Sequence, residues 1–219
     1  MKYMKYKLAI FDMDGTVLFT LQDLKDTMNA ILEMHHMPVR TTEEIKAFVG
    51  NGIHKLVERA VPAGTSEAEI EAVFKDFNAY YKDHCNDHTC PYDGILTLLE
   101  HLKKAGIRCA VLSNKADYAV QQLDEKYFQG LIDLGVGEKA GIRRKPAPDM
   151  VEKVLEQLGI KKEEAVYIGD SEVDVMTGKN AGMDVISVLW GYRTREQLVK
   201  AGATVLVKDT EELESVLLK

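Results

Sequence analysis

The sequence predicts an α/β protein: a doubly wound parallel sheet with a Rossmann-like core, and a small all-helical domain inserted after the first strand. Two patterns carry that prediction. From Pro91 onward, short apolar runs alternate with amphipathic stretches, the rhythm of strands and crossover helices. Across residues 18–88 apolar residues recur only at helical spacing, with no convincing strand. The chain has 219 residues, 46% hydrophobic and 29% charged, which suits a sizeable core plus a second small domain. The expected division is residues 1–17 with 89–219 as the core and 18–88 as the helical cap.

In chain order, the run from Lys7 to Phe11 ends abruptly at acidic residues and glycine, as a buried strand feeding a loop does. Leu21, Leu24, Met28, Ile31 and Leu32 mark a helix over residues 21–36. Thr41 with Glu44, and Ser66 with Glu69, form capping-box patterns that open two further helices, the second reaching about Tyr81. Between them, Gly50-Asn51-Gly52 and Pro62 to Gly64 are breaks flanking a helix at 53–61. Helices are then expected at 94–105, 116–126, 148–159, 173–181, 194–201 and 210–218. Strands are expected at 107–112, 131–134, 165–168, 184–189 and 203–207.

Several function classes fall away on composition. A net charge of -7 and a pI near 5.4 leave no basic stripe for duplex nucleic acid. No apolar run approaches a bilayer span, and no signal-peptide core stands between the lysines of residues 1–7 and Asp12. Three cysteines are too few for a disulfide framework, and Cys109 falls in a predicted core strand. His84, Cys85, His88 and Cys90 match no zinc-finger spacing and read as a polar return segment. A cytoplasmic protein, monomer or homodimer, with no membrane or nucleic-acid partner is expected.

In doubly wound sheets ligands bind beyond the carboxyl ends of the strands. Asp12, Asp14, Gly15 and Thr16 stand there after the first strand, Ser113, Asn114 and Lys115 after the second, and Asp170, Ser171 and Asp174 after the fourth. Lys145 precedes Pro146 just before a helix. Crowded carboxylates resist ionising unless a cation joins them, and oxygen-only ligands suit Mg2+. Asp12 and Asp170 are the natural ligands, with the backbone carbonyl of Asp14 beside them. Hydroxyl, amide and ammonium donors around such a cation suit a phosphoryl group. Asp12 is then the candidate nucleophile, and Asp14 the candidate acid and base.

Asp12-x-Asp14-Gly15-Thr16, Ser113-Asn114, Lys145-Pro146 and Gly169-Asp170-x3-Asp174 resemble, in order, the four motifs of the haloacid dehalogenase superfamily. The resemblance spans the chain, and the helical insertion resembles that superfamily's small cap. Residues 48–53, 145–149, 181–183 and 189–192 resemble the phosphoglycolate phosphatase branch. It implies Asp12 as nucleophile and Asp14 as acid/base, with Mg2+ on Asp12, Asp170 and the Asp14 carbonyl. Ser171 and Asp174 would support the metal ligands. Ser113, Asn114 and Lys145, with Gly15 and Thr16, would hold the phosphoryl group. Gly50, Asn51 and Gly52 would face the substrate.

The second aspartate implies phosphate chemistry, because dehalogenases of the superfamily lack it. Relatives carry an acidic residue shortly after Gly-Thr; here Phe19-Thr20 stands instead, with Thr20 expected to cap the first cap helix. The implied function is a Mg2+-dependent phosphatase for a small phosphorylated metabolite. A sugar phosphomutase or a pyrophosphatase of the same superfamily is the alternative. An aspartate-phosphorylated signalling module is more distant, being far shorter and lacking the insertion.

Overall fold

A computed structural model describes residues 5–219; residues 1–4, with Lys2 of the lysine-bearing terminus, lie outside the described residues. Lys5 and Lys7 are largely exposed, paired with Asp184 and Glu164. The chain separates into two compact units: the described part of Met1–Leu18 with Pro91–Lys219, and Phe19–Cys90.

The first unit is built on strand β1 (Leu8–Phe11), which is buried along its whole length. Its alternate residues serve two cores, as the period of two demands. Ala9 and Phe11 pack with Cys109, Val111, Val166 and Ile168 on one face. Leu8 and Ile10 pack with Ala110, Leu112, Ala165 and Tyr167 on the other. Fully burying side chains such as Phe11 and Ile10 contributes about 1.5–3 kcal/mol each.

The other strands are β4 (Arg108–Ala116), β5 (Leu134–Glu138), β6 (Ala165–Gly169), β7 (Asp184–Val188) and β8 (Leu206–Val207). Every pairing is parallel, in the order β5-β4-β1-β6-β7-β8. Strand order reverses beside β1, so a crevice is expected at the carboxyl ends of β4, β1 and β6. Helices α5 (Ile95–Lys104), α6 (Asp117–Tyr127), α7 (Asp149–Leu158), α8 (Glu172–Ala181), α9 (Arg195–Ala201) and α10 (Thr210–Leu217) complete this unit.

The second unit carries α1 (Leu21–Met34), α2 (Thr42–Phe48), α3 (Ile53–Ala60) and α4 (Glu67–His84). Both predicted capping boxes form, Thr41 with Glu44 and Ser66 with Glu69. The chain crosses between units at β2 (Leu18–Phe19) and β3 (Cys90–Pro91), which pair with each other.

Several local expectations need correction. Strand β4 runs on to Ala116 with a register shift after Leu112, so Ser113, Asn114 and Lys115 lie within its end, not beyond it. Strand β5 begins where a strand at 131–134 was expected to stop, because Gly135 and Gly137 obscure its apolar pattern. Gly137 serves close approach: a Cβ there would lie 2.4 Å from the Asp117 Cα. The last strand is only two residues, and β2 is a short strand in the stretch read as helices only. Thr20 precedes α1, but its backbone is near-helical (φ -113°, ψ -1°) and its hydroxyl makes no capping bond. An acidic residue does occupy the first turn: buried Asp23 accepts the amides of His88 and Thr89 at 2.8 and 2.9 Å.

Candidate active site

The loop after β1 is anchored through Met13. Its side chain is fully buried in the core, and its carbonyl accepts the amides of Thr16, Val17 and Leu18. The flanking aspartates are thereby handed to different cations. Asp12 Oδ1 lies 2.7 Å from Lys145 Nζ, and Asp14 Oδ1 lies 3.0 Å from Lys115 Nζ. Ser113 Oγ donates to Asp14 Oδ2 at 3.3 Å.

Lys145 is 3% exposed and bridges Asp12 to Asp174 Oδ1, the latter at 2.8 Å. Burial alone would favour the neutral amine. The carboxylates of Asp12 and Asp174 outweigh it and hold the ammonium well above the usual lysine range. Burial, and next the charge of Asp174, push the Asp12 carboxyl well above the carboxylate range, with Lys145 opposing them. Asp174 is saturated with donors: Lys145 Nζ and the Tyr167 hydroxyl (3.3 Å) on Oδ1, Ser171 N and Oγ (3.1 and 2.6 Å) on Oδ2. It closes the capping box of α8 and fixes Lys145 from behind.

Asp170 receives the Tyr192 amide on Oδ2 at 2.6 Å and the Thr16 hydroxyl on Oδ1 at 3.4 Å. Burial, with Asp174 next in weight, pushes its carboxyl up to about 7. Room for it exists because two glycines face it. A Cβ on Gly15 or on Gly191 would fall 2.4 Å from Asp170 Oδ2. Gly15 also adopts φ +87°, which side chains rarely tolerate.

Asp12, Asp170 and Asp174 offer carboxylate oxygens all within 4.8 Å of one another, the one such acid, histidine or cysteine group among the described residues. Three buried carboxylates face the ammonium of Lys145, with the charge of buried Arg193 felt at Asp170, so negative charge is still in excess and hard oxygen donors surround the gap. That donor set fits a divalent cation of the Mg2+ kind. The Asp14 carboxylate stands outside the group, held by Lys115 and Ser113.

Comparison with known proteins matches this arrangement. The family model for haloacid dehalogenase-like hydrolases aligns with residues 9–188, spanning the strands that carry the site. The chain belongs to the haloacid dehalogenase-like hydrolase family. Among family members, an N-acetylmuramic acid 6-phosphate phosphatase of Pseudomonas aeruginosa is 30% identical over 226 residues, 99% of this chain and 97% of its own. A phosphoglycolate phosphatase of Aquifex aeolicus is 31% identical, covering 85% of this chain and 86% of its own. A crystal structure from Lactobacillus delbrueckii subsp. bulgaricus, provisionally assigned as a phosphoglycolate phosphatase, superimposes with TM-score 0.94 at 41% identity. That match covers 99% of this chain and all of the other.

Within this haloacid dehalogenase-like core, Asp12, Asp14, Gly15, Thr16, Ser113, Asn114, Lys145, Asp170, Ser171 and Asp174 converge at the carboxyl ends of β1, β4 and β6. Asn114 does so differently from expectation. Its carboxamide binds the Lys145 backbone at both ends, so its amide clamps the lysine. Neither Ser113 nor Asn114 caps α6, since Ser113 Oγ accepts the Lys115 amide instead.

Gly50, Asn51 and Gly52 belong to the helical unit, where Asn51 Oδ1 accepts from the Arg59 guanidinium at 2.9 Å. His84 pairs with Asp87 and Cys85 is buried.

Sequence reasoning assigned no role to Lys115, Tyr167, Gly191 or Tyr192. Lys115 was detectable: once β4 extends to Ala116, position 115 shares a strand face with Ser113. Gly191 and Tyr192 stand out in the sequence only through the resemblance of residues 189–192, which names no contact, because their approach to Asp170 spans about twenty residues of sequence and a loop.

Proposed function

We propose that this chain is a Mg2+-dependent phosphatase that hydrolyses a small phosphorylated metabolite through an aspartyl phosphate on Asp12. One observation carries the reading. Asp12 sits at the end of β1 between Lys145 and the oxygens of Asp170 and Asp174, while Asp14, two residues on, is held apart by its own partners. One carboxylate is thus set beside the cations that a phosphoryl group needs, and a second is kept separate for proton transfer. The phosphatases of Pseudomonas aeruginosa and Aquifex aeolicus, named for sugar-acid and phosphoglycolate esters, support a small anionic substrate.

Lys145 would bind the phosphoryl oxygens; the Gly15 and Thr16 amides already donate to the Leu18 and Met13 carbonyls, and the single hydrogen of the Ser113 hydroxyl goes to Asp14 Oδ2. A carboxylate oxygen of Asp12 attacks phosphorus and forms the acyl phosphate bond as the ester P–O bond breaks. Asp14 gives its proton to the departing alkoxide oxygen. It then takes a proton from the water that attacks phosphorus, which releases inorganic phosphate and restores Asp12. Asp12, Asp170 and the Asp14 carbonyl would hold Mg2+, which when bound neutralises the crowded carboxylates and the phosphoryl charge. Asp174 and Ser171 keep Lys145 and the start of α8 in place. Substrate discrimination is assigned to the helical unit, with the Gly50-Asn51-Gly52 turn as its candidate element.

The test is a phosphate-release screen over small phosphate esters, with and without Mg2+, on the wild type and on Asp12→Asn. Release that requires the ion and falls at least about 10³-fold in the variant is expected. Release that survives both changes overturns the reading. Rearranged sugar phosphate without net phosphate release replaces it with a mutase.

A further inference from the structure

Two lysines are buried at the rim of the sheet, and the mechanism above uses only Lys145. The other, Lys115, is 3% exposed and lies near the carboxyl end of β4. Its ammonium is 3.0 Å from Asp14 Oδ1, while the Ser113 hydroxyl holds Oδ2 at 3.3 Å. Residues 113 and 115 share one strand face by the period of two, and Asn114 between them turns to Lys145. The Lys115 amide also donates to Ser113 Oγ at 3.1 Å, so the two grips on Asp14 are tied to each other.

A carboxylate held at both oxygens cannot rotate freely. A proton donor must sit within roughly 2.6–3.2 Å of its target atom, and a displacement of about 1 Å costs about 10²-fold in rate. A lysine emerging from water costs desolvation, which a role as mere filler would not offset. We propose that Lys115 is a positioning residue: its ammonium, with the Ser113 hydroxyl, holds the Asp14 carboxylate in the orientation that serves proton transfer. The inference rests on the phosphatase reading and on Asp14 as its acid and base.

The experiment compares wild type with Lys115→Met on two substrates: the alkyl phosphate ester turned over fastest in the screen, and p-nitrophenyl phosphate. An alkoxide needs a proton to leave, whereas p-nitrophenolate does not. For the alkyl ester, kcat/KM is expected to fall about 10²-fold, and for the aryl ester less than about threefold. Because hydrolysis of the aspartyl phosphate also needs Asp14, p-nitrophenolate is expected to appear in a burst of about one per site. In an Asp14→Asn background Lys115→Met is expected to add less than about threefold. Folding is read from the urea transition, and Lys115→Gln, which keeps a polar head, substitutes where the methionine variant does not fold.

Equal losses on both esters, no loss on either, or an undiminished loss in the Asp14→Asn background would overturn the positioning role. A wild type that cleaves the aryl ester alone overturns the acid role of Asp14, and this inference with it, while the Asp12 chemistry stands. A wild type that releases phosphate from neither ester overturns the phosphatase reading itself.

Discussion

The side-chain amide of Asn114 pairs with the peptide groups of Lys145: its Nδ2 donates to the Lys145 carbonyl at 3.1 Å, and its Oδ1 accepts the Lys145 amide at 2.9 Å. A residue of β4 thereby sets where the chain of Lys145 runs, and hence where its ammonium meets Asp12. Asn114→Ala would leave a buried N–H and a buried C=O without those partners, at about 1–3 kcal/mol each. A loss of about 2–4 kcal/mol is expected from urea unfolding, with phosphate release down about 10²-fold. A stability change under about 0.5 kcal/mol would show that the clamp is dispensable.

Gly191 is a matter of space. An added Cβ would meet Asp170 Cβ at 2.3 Å and the Gly15 carbonyl oxygen at 2.5 Å, neither of which can swing aside as a flexible side-chain tip would. Gly191→Ala is expected to cost about 1–3 kcal/mol through overpacking. Displacing Asp170 should also raise the Mg2+ concentration for half-maximal activity at least about tenfold. Unchanged metal dependence would dissociate Gly191 from the ion site.

Burial, with Asp174 next in weight, raises the Asp170 carboxyl from 3.8 to about 7 in the ion-free protein. For an acid whose folded value lies above its unfolded one, the native state binds the extra proton between those values. Ion-free stability should therefore fall as pH rises from about 4 to 7. Mg2+ competes with that proton and with the one that burial favours on Asp12, so its apparent affinity should weaken at least about tenfold per unit below about pH 7. Calorimetric titration at about pH 5.5, 6.5 and 8 checks this, and a constant affinity across that range would contradict it.

In the helical unit, Asp23 joins the first turn of α1 to the segment that leaves the unit. Its Oδ1 accepts the His88 amide at 2.8 Å, and its Oδ2 accepts the Thr89 amide at 2.9 Å and hydroxyl at 2.6 Å. Asp23→Ala should destabilise the helical unit by about 2–4 kcal/mol, since the buried Thr89 amide and hydroxyl and the part-buried His88 amide lose their acceptor. Amide exchange at His88 and Thr89 is expected to accelerate about 10²-fold. Protection unchanged at both amides would remove Asp23 from that role.

Most of the frame was legible because its signals are local. Thr41 and Ser66 each recruit a glutamate three residues on, so their capping boxes form as spacing dictates. Three of the four polar clusters stand at strand ends because short apolar runs stop there abruptly, while Lys145 stands in the loop before α7. Two local readings failed, one to a distant contact and one to local backbone geometry. The glycines that disguise β5 answer to the backbone of Asp117 at Gly137, and Thr20 meets α1 with a backbone already near-helical.

The linear chain determined which kinds of group gather at the rim, since strand ends and motif spacings are written into neighbouring residues. Only tertiary structure decided which cation meets which acid. Lys145 reaches Asp12 across 133 positions, while Lys115, in the tail of β4, takes Asp14. Such pairing depends on strand order, on one register shift in β4 and on two glycines that make room for Asp170, and short-range patterning encodes none of these.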